Sequence, residues 1–282
     1  MPLTGESDPW EVYVLEYART ANQPVASLLL GVYDEGAIDL PFAFVLAQRS
    51  GVNVLVDTGF MREGRGAEMA QRSGIREWIS PLRLLGRLGV APEDVAHIVV
   101  SHAHYDHIGS IEQFPKAQLY LQKTELLSWV ELMALPPRFG ALLGALNPDD
   151  LHAALHCAEE HRLTLLDGDC ENLLPGLHVH AAADGHTMGQ QYVLIDTKRG
   201  RFAVTGDCIY SRRNLTGTND SGVYVPLGFG VGSVWGELKT MDRINQDIDG
   251  DLRRMLTLHD FERWSNLEVH FEMEGFRVFK AA

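Results

Sequence analysis

The chain has 282 residues, 45% of them hydrophobic, which is ample for a sizeable core. It contains no run of 18 or more apolar residues, so a membrane span or membrane partner is not expected. A formal net charge of −14 repels phosphate backbones and argues against a nucleic-acid partner. The opening residues 1–8 are polar and acidic, without the basic start and apolar stretch of an export signal. Cys157, Cys170 and Cys208 show no paired spacing, so a disulfide framework is not expected. Both features point to a cytoplasmic protein.

Short apolar and β-branched runs at 12–17, 25–33 and 42–48 predict strands. Val54, Leu55 and Val56 form a buried strand that runs into Asp57-Thr58-Gly59. Ser80 and Pro81 open a helix that Gly89 stops. Ile98 to Val100 is a further strand, delivering Ser101 and His102 into a loop. Helices follow at 124–135 and 147–162, the latter opened by Asn147-Pro148. Strands return between His178 and Gly206, with a turn at Lys198-Arg199-Gly200. A helix at 233–245, a strand at 255–258 and a hairpin at 268–279 turning at Glu274-Gly275 complete the chain. No repeat or linker divides it. The order predicts one domain over residues 1–282, with helices packed outside two sheets, and segments 60–90 and 125–162 as lids or inserts over a site.

The strongest chemical signal is His102-Ala103-His104-Tyr105-Asp106-His107, directly after a predicted strand. Neutral imidazole and carboxylate are ligands for zinc and its neighbours. A single histidine there would read as a hydrogen-bonded core residue. Three histidines and an aspartate within six residues are costly to bury without a cation. Four donors cannot fill two metal shells. Gly185-His186-Thr187, Gly206-Asp207 and His259, each after a predicted strand, are the candidates to complete them. His152 and His156 lie at a helical spacing but lack the following glutamate of a zincin, and read as a solvated face. His178 and His180 alternate on a strand and read as structural.

Val56-Asp57-Thr58-Gly59, the run from His102 to His107, Gly185-His186-Thr187, Gly206-Asp207 and His259 together resemble the metallo-β-lactamase superfamily. The resemblance implies an α/β, αββα sandwich with metals at one edge of the sheets. It implies His102, His104 and His186 on one metal, Asp106, His107 and His259 on a second, Asp207 bridging, and Asp57 as a supporting neighbour. The cofactors expected are two divalent transition-metal ions, zinc first, with manganese, iron or cobalt admitted by the same donors.

Tyr210, three residues after Asp207, is similar to the N-acyl-homoserine lactonase branch. That likeness implies a hydrolase opening a lactone ring by attack of a metal-bridging hydroxide, with a small-molecule substrate and catalytic roles for Asp106, Asp207 and Tyr210. The alternative is hydrolysis of another cyclic amide, ester or thioester on the same metals. An iron-pair oxygen reductase would want a carboxylate at position 104, and a binding protein with a structural metal would not need Tyr210. The chain departs from the branch at Met188, where proline is frequent, and in segment 211–232. There Arg212 and Arg213 are candidates for meeting a substrate carboxylate or phenolate. Phe60, Met61, Trp129 and Phe229 are candidate pocket residues, with core packing the default. A dimer is the oligomer expected, if one forms.

Overall fold

The computed structural model describes residues 8–282. The polar opening stretch, read as lacking an export signal, lies outside the described residues apart from Asp8. β1 (Glu11–Pro24) ends on Pro24, whose fixed φ leads into the one-turn α1 (Val25–Leu28). β2 (Ala37–Arg49) returns antiparallel to β1, and β3 (Val52–Val56) follows a tight turn at Ser50 and Gly51. α2 (Gly64–Arg72), β4 (Ile75–Trp78) and α3 (Pro81–Arg87) lead to β5 (Val95–Val99), which lies parallel to β3. The single turn α4 (Tyr105–Ile108), β6 (Gln118–Gln122), α5 (Lys123–Met133), α6 (Pro148–Glu159) and β7 (Leu163–Leu166) extend that parallel run.

The second sheet holds β8 (Cys170–Leu174), β9 (Leu177–Ala181), β10 (Gln191–Thr197) and β11 (Gly200–Val204). After α7 (Arg213–Thr216) and α8 (Val234–Asp247), β12 (Met255–Leu256) joins β11 in parallel. α9 (Phe261–Trp264) precedes the hairpin of β13 (Glu268–Met273) and β14 (Phe276–Lys280), which returns to the first sheet beside β1. The sheets run β13-β14-β1-β2-β3-β5-β6-β7, with β4 on β1, and β12-β11-β10-β9-β8.

Strand periodicity explains the layers. Val12, Val14, Ala43, Val45, Val54 and Val56 of the first sheet cluster with Val179, Val193, Ile195 and Val204 of the second, forming the core between the sheets. The alternate residues Leu15, Tyr17, Phe44, Leu46 and Leu55 pack with helical Leu84, Leu85 and Leu126, while Tyr192 and Leu194 share that cluster with Met241 and Ile244. Strands buried on both faces read as continuous apolar runs. The result is an αββα sandwich.

Residues 25–33 do not form the expected strand. They make α1 and irregular chain, although Val25, Leu28, Leu29 and Val32 are buried. An apolar run without alternation does not distinguish helix from strand. Here the Leu28 carbonyl accepts from Asn214 and the Leu30 N–H donates to Pro226, so no ladder is needed. Segment 60–90 contributes β4 to the sheet, which the sequence did not announce. Asn147 and Ser233 cap α6 and α8 through their side chains. All three cysteines are free thiols. Among the described residues, no helix is long and apolar enough to cross a membrane.

Loops leaving β3, β5, β9, β11 and β12 meet at one edge of the sandwich. Gln191 N–H donates to the Ser101 carbonyl at 2.8 Å, and Ala43 N–H to the Leu258 carbonyl at 3.0 Å, tying the two sheets together there.

Candidate metal centre

His102, His104, His186 and Asp207 bring one ligand atom each within 4.8 Å of one another, and Asp106, His107 and His259 do the same beside them. All seven are buried. Asp207 stands between the groups. Its Oδ2 lies 3.4 Å from His186 Nε2 and 3.9 Å from His102 Nε2. Its Oδ1 lies 3.2 Å from His107 Nε2 and 3.1 Å from His259 Nε2, yet makes no hydrogen bond. The Asp207 loop presses on the His102 loop at Gly206, where an added Cβ would come within 2.7 Å of the Ser101 Cβ.

The donor set fits divalent transition metals. His104 Nδ1 is 3.0 Å from both His102 Nε2 and His186 Nε2, and His107 Nε2 is 3.4 Å from His259 Nε2. One nitrogen cannot satisfy two facing imidazoles by sharing a single hydrogen. Burial pushes His102, His104 and His186 below the ordinary imidazole pKa, His104 to about 3, and facing imidazoles add to this at His102 and His104. They are neutral and present lone pairs. At His107 and His259 burial also disfavours charge, but the Asp207 and Asp106 carboxylates outweigh it and hold both pKa values above the ordinary one. A cation at that position would take the place of the proton.

The outer nitrogens are fixed by oxygen atoms. His107 Nδ1 pairs with Asp57 Oδ2 at 2.7 Å, and Asp57 in turn accepts from the Ser101 N–H at 2.6 Å and the Ser101 hydroxyl at 2.7 Å. His259 Nδ1 donates to the Pro41 carbonyl at 2.8 Å, and His186 Nδ1 to the Phe229 carbonyl at 3.3 Å. These bonds set each ring's orientation and leave the inner nitrogen for a ligand. Asp57 therefore sits where the resemblance placed it, beside the donors.

The centre opens into a cavity of about 400 Å³. Leu40, Phe42, Leu142, Phe229 and Val231 supply apolar wall, Thr20, Gln23 and Ser73 polar wall, and His104, Asp106, His186, Asp207, Tyr210 and His259 the floor. No lysine or arginine is among the described lining residues. The Tyr210 hydroxyl donates to Asp207 Oδ2 at 2.5 Å, and its ring stacks on His259 at 5.3 Å.

Several sequence candidates fall elsewhere. Arg213 forms a two-bond pair with Glu35, and Arg212 pairs with Asp220 on the surface, so neither meets a substrate in the cavity. Phe60 and Trp129 are core residues, and Met61 lines a separate surface pocket. Only Phe229 of that group lines the cavity. His152 and His156 are exposed on α6. Glu125 was not singled out. It lies fully buried against the donor loops. A glutamate one turn before Trp129 on the apolar face of a predicted helix was the available signal.

The sequence pattern of the metallo-beta-lactamase superfamily matches residues 39–267. The N-acyl homoserine lactonase AiiB of Agrobacterium fabrum (strain C58 / ATCC 33970) is 27% identical, over 92% of this chain and 94% of its own. An N-acyl homoserine lactone hydrolase solved with the product N-hexanoyl-L-homoserine at its catalytic metal centre superposes with a TM-score of 0.69. It is 20% identical, and the match covers 94% of this chain and 99% of that one. AidC, a dizinc quorum-quenching lactonase, superposes with a TM-score of 0.65 at 18% identity, covering 98% and 95%. With the family pattern spanning most of the sequence and the donor loops gathered at one sandwich edge, the chain belongs to the metallo-β-lactamase superfamily.

Proposed function

We propose that this protein is a metal-dependent hydrolase that opens a lactone ring. In this reading His102, His104, His186 and Asp207 would hold one divalent ion and Asp106, His107 and His259 a second, with Asp207 standing between them. Zinc is the first expectation, and manganese, iron and cobalt use the same donor types. Such a pair, when bound, lowers the pKa of water and polarises a carbonyl oxygen.

The observation that carries the reading is Tyr210, held on Asp207 at the floor of a cavity without cations. Burial, followed by the charge of Asp207, keeps its pKa well above the usual 10. At neutral pH it is therefore a hydrogen-bond donor. Its hydroxyl turns from Asp207 to the scissile carbonyl oxygen as that atom gains charge in the transition state. Asp106, which also borders the cavity, holds the proton released by the attacking water and returns it to the leaving alkoxide.

A ring ester needs no counter-charge beyond this. A β-lactam or glutathione thioester carries carboxylates that would find no lysine or arginine in the cavity. The apolar wall suits a lactone bearing an apolar substituent, and the relatives' names agree with that choice. Ser73, from the 60–90 segment, and Ala141, Leu142, Gly144 and Ala145, from the 125–162 segment, border the cavity and support reading both segments as covers.

A panel of lactones, β-lactams and thioesters, assayed with metal-replete protein, tests the proposal. Lactones with apolar substituents are expected to be the best substrates. On the best of them, Tyr210→Phe should lower kcat by about 10–10²-fold with metal content unchanged. Full activity in that variant, or activity confined to β-lactams or thioesters, would overturn the lactonase reading.

A further inference from the structure

We infer that Glu125 is a positioning residue for the first donor group: one carboxylate locks together the two loops, from different sheets, that carry His102, His104 and His186. The inference rests on the two-metal reading above.

Glu125 lies in the first turn of α5, fully buried. Its Oε1 accepts from the Ala103 N–H at 2.8 Å and from the Trp129 indole N–H at 2.7 Å. Its Oε2 accepts from the Thr187 hydroxyl at 2.7 Å and from the Gly189 N–H at 2.9 Å. Ala103 separates His102 from His104, and Thr187 follows His186. The remaining partner, Trp129, packs its ring on His104 at 5.5 Å. Every bond of this carboxylate therefore ends in one of the two donor loops or on the ring that packs against His104.

The backbone is shaped for the same contact. An added Cβ at Gly189 would meet the Glu125 nitrogen at 2.1 Å and the Glu125 Cα at 2.7 Å. Only glycine lets the His186 loop lie this close to α5. A buried carboxylate with four donors in place is satisfied, whereas losing them leaves a costly group in a dry site. The second donor group has a different arrangement. Its histidines are oriented by Asp57 and by the Pro41 carbonyl, neither of which touches Glu125. A defect at Glu125 should therefore be felt by one ion more than by the other.

Glu125→Gln is the sharpest change. With its NH₂ at the Oε1 position the new amide faces two obligatory donors, the Ala103 and Trp129 N–H groups. With NH₂ at the Oε2 position it faces the Gly189 N–H, while the Thr187 hydroxyl can turn to accept, so in either orientation at least one loop contact is lost. Zinc affinity of the intact protein, measured ion by ion through chelator competition, is the readout. Binding of one ion should weaken by about 10–100-fold while the other keeps its affinity. Thr187→Val removes one of the four bonds and should weaken the same ion by less. In both variants kcat on the best lactone should recover as zinc is raised to saturation, with KM little changed.

Wild-type affinity for both ions in Glu125→Gln would overturn the inference. Equal loss of both ions together with a lowered Tm would overturn it as well, since the residue would then only support the fold. If Glu125→Gln does not fold, Thr187→Val decides, and unchanged affinity for both ions in that variant is contrary. A wild-type protein that binds no zinc overturns the two-metal reading itself. A two-zinc wild type with an unaffected Glu125→Gln overturns only the role given to Glu125.

Discussion

Among the described residues, two groups of buried histidines face carboxylates, and they are wired in opposite ways. At the outer cluster, His178 and His180 on β9 are as buried as the donors of the metal centre. There each ring nitrogen meets an oxygen. His178 faces Glu171 at 2.5 Å and Asp196 at 3.2 Å, and His180 faces Glu171 at 2.6 Å and both Tyr192 and Asp247 at 3.2 Å. At the metal centre, the inner nitrogens of His102, His104 and His186 face one another, and those of His107 and His259 converge on an Asp207 oxygen that accepts no hydrogen bond. Residue types alone do not separate the two. What separates them is whether the lone pairs are already used, and whether the cluster opens into a cavity.

The comparison breaks most directly at Asp207, the one carboxylate with an oxygen toward each donor group. Asp207→Ala should release metal from both and reduce lactone hydrolysis by about 10³-fold or more, because several kcal/mol of transition-state stabilisation go with the ions. Elemental analysis beside the rate assay checks this, and two retained ions would refute the bridging assignment.

The smallest effect is expected at the outer cluster. His178→Gln combined with His180→Gln should leave metal content and kcat unchanged, and should lower stability by about 1 kcal/mol through lost part-buried hydrogen bonds. Denaturant unfolding with a parallel metal count reads both. Loss of an ion in this double variant would place His178 or His180 among the ligands and contradict this contrast.

Much of this contrast was legible in the sequence. The run from His102 to His107, with His186, Asp207 and His259 each after a strand, carried the donor set because strand ends converge at one edge of a layered sheet fold. His178 and His180 read as structural because they alternate within a strand. Other features were not legible. Val25, Leu28, Leu29 and Val32 are apolar for burial, and nothing in such a run without strict alternation specifies a sheet partner. Arg212 and Arg213 drew attention by charge, but their acidic partners Glu35 and Asp220 could be paired with them only in three dimensions. Glu125 is not legible in the sequence because its meaning lies in contacts with Ala103, Thr187 and Gly189, which are remote along the chain.

The central claim is that seven buried donors form a site for two metal ions. Elemental analysis of the wild-type protein, purified without chelators, tests it most directly. Close to two transition-metal ions per chain are expected, with both removed by a strong chelator and activity restored on their return. Protein that is folded, active on lactones and free of transition metal would contradict it.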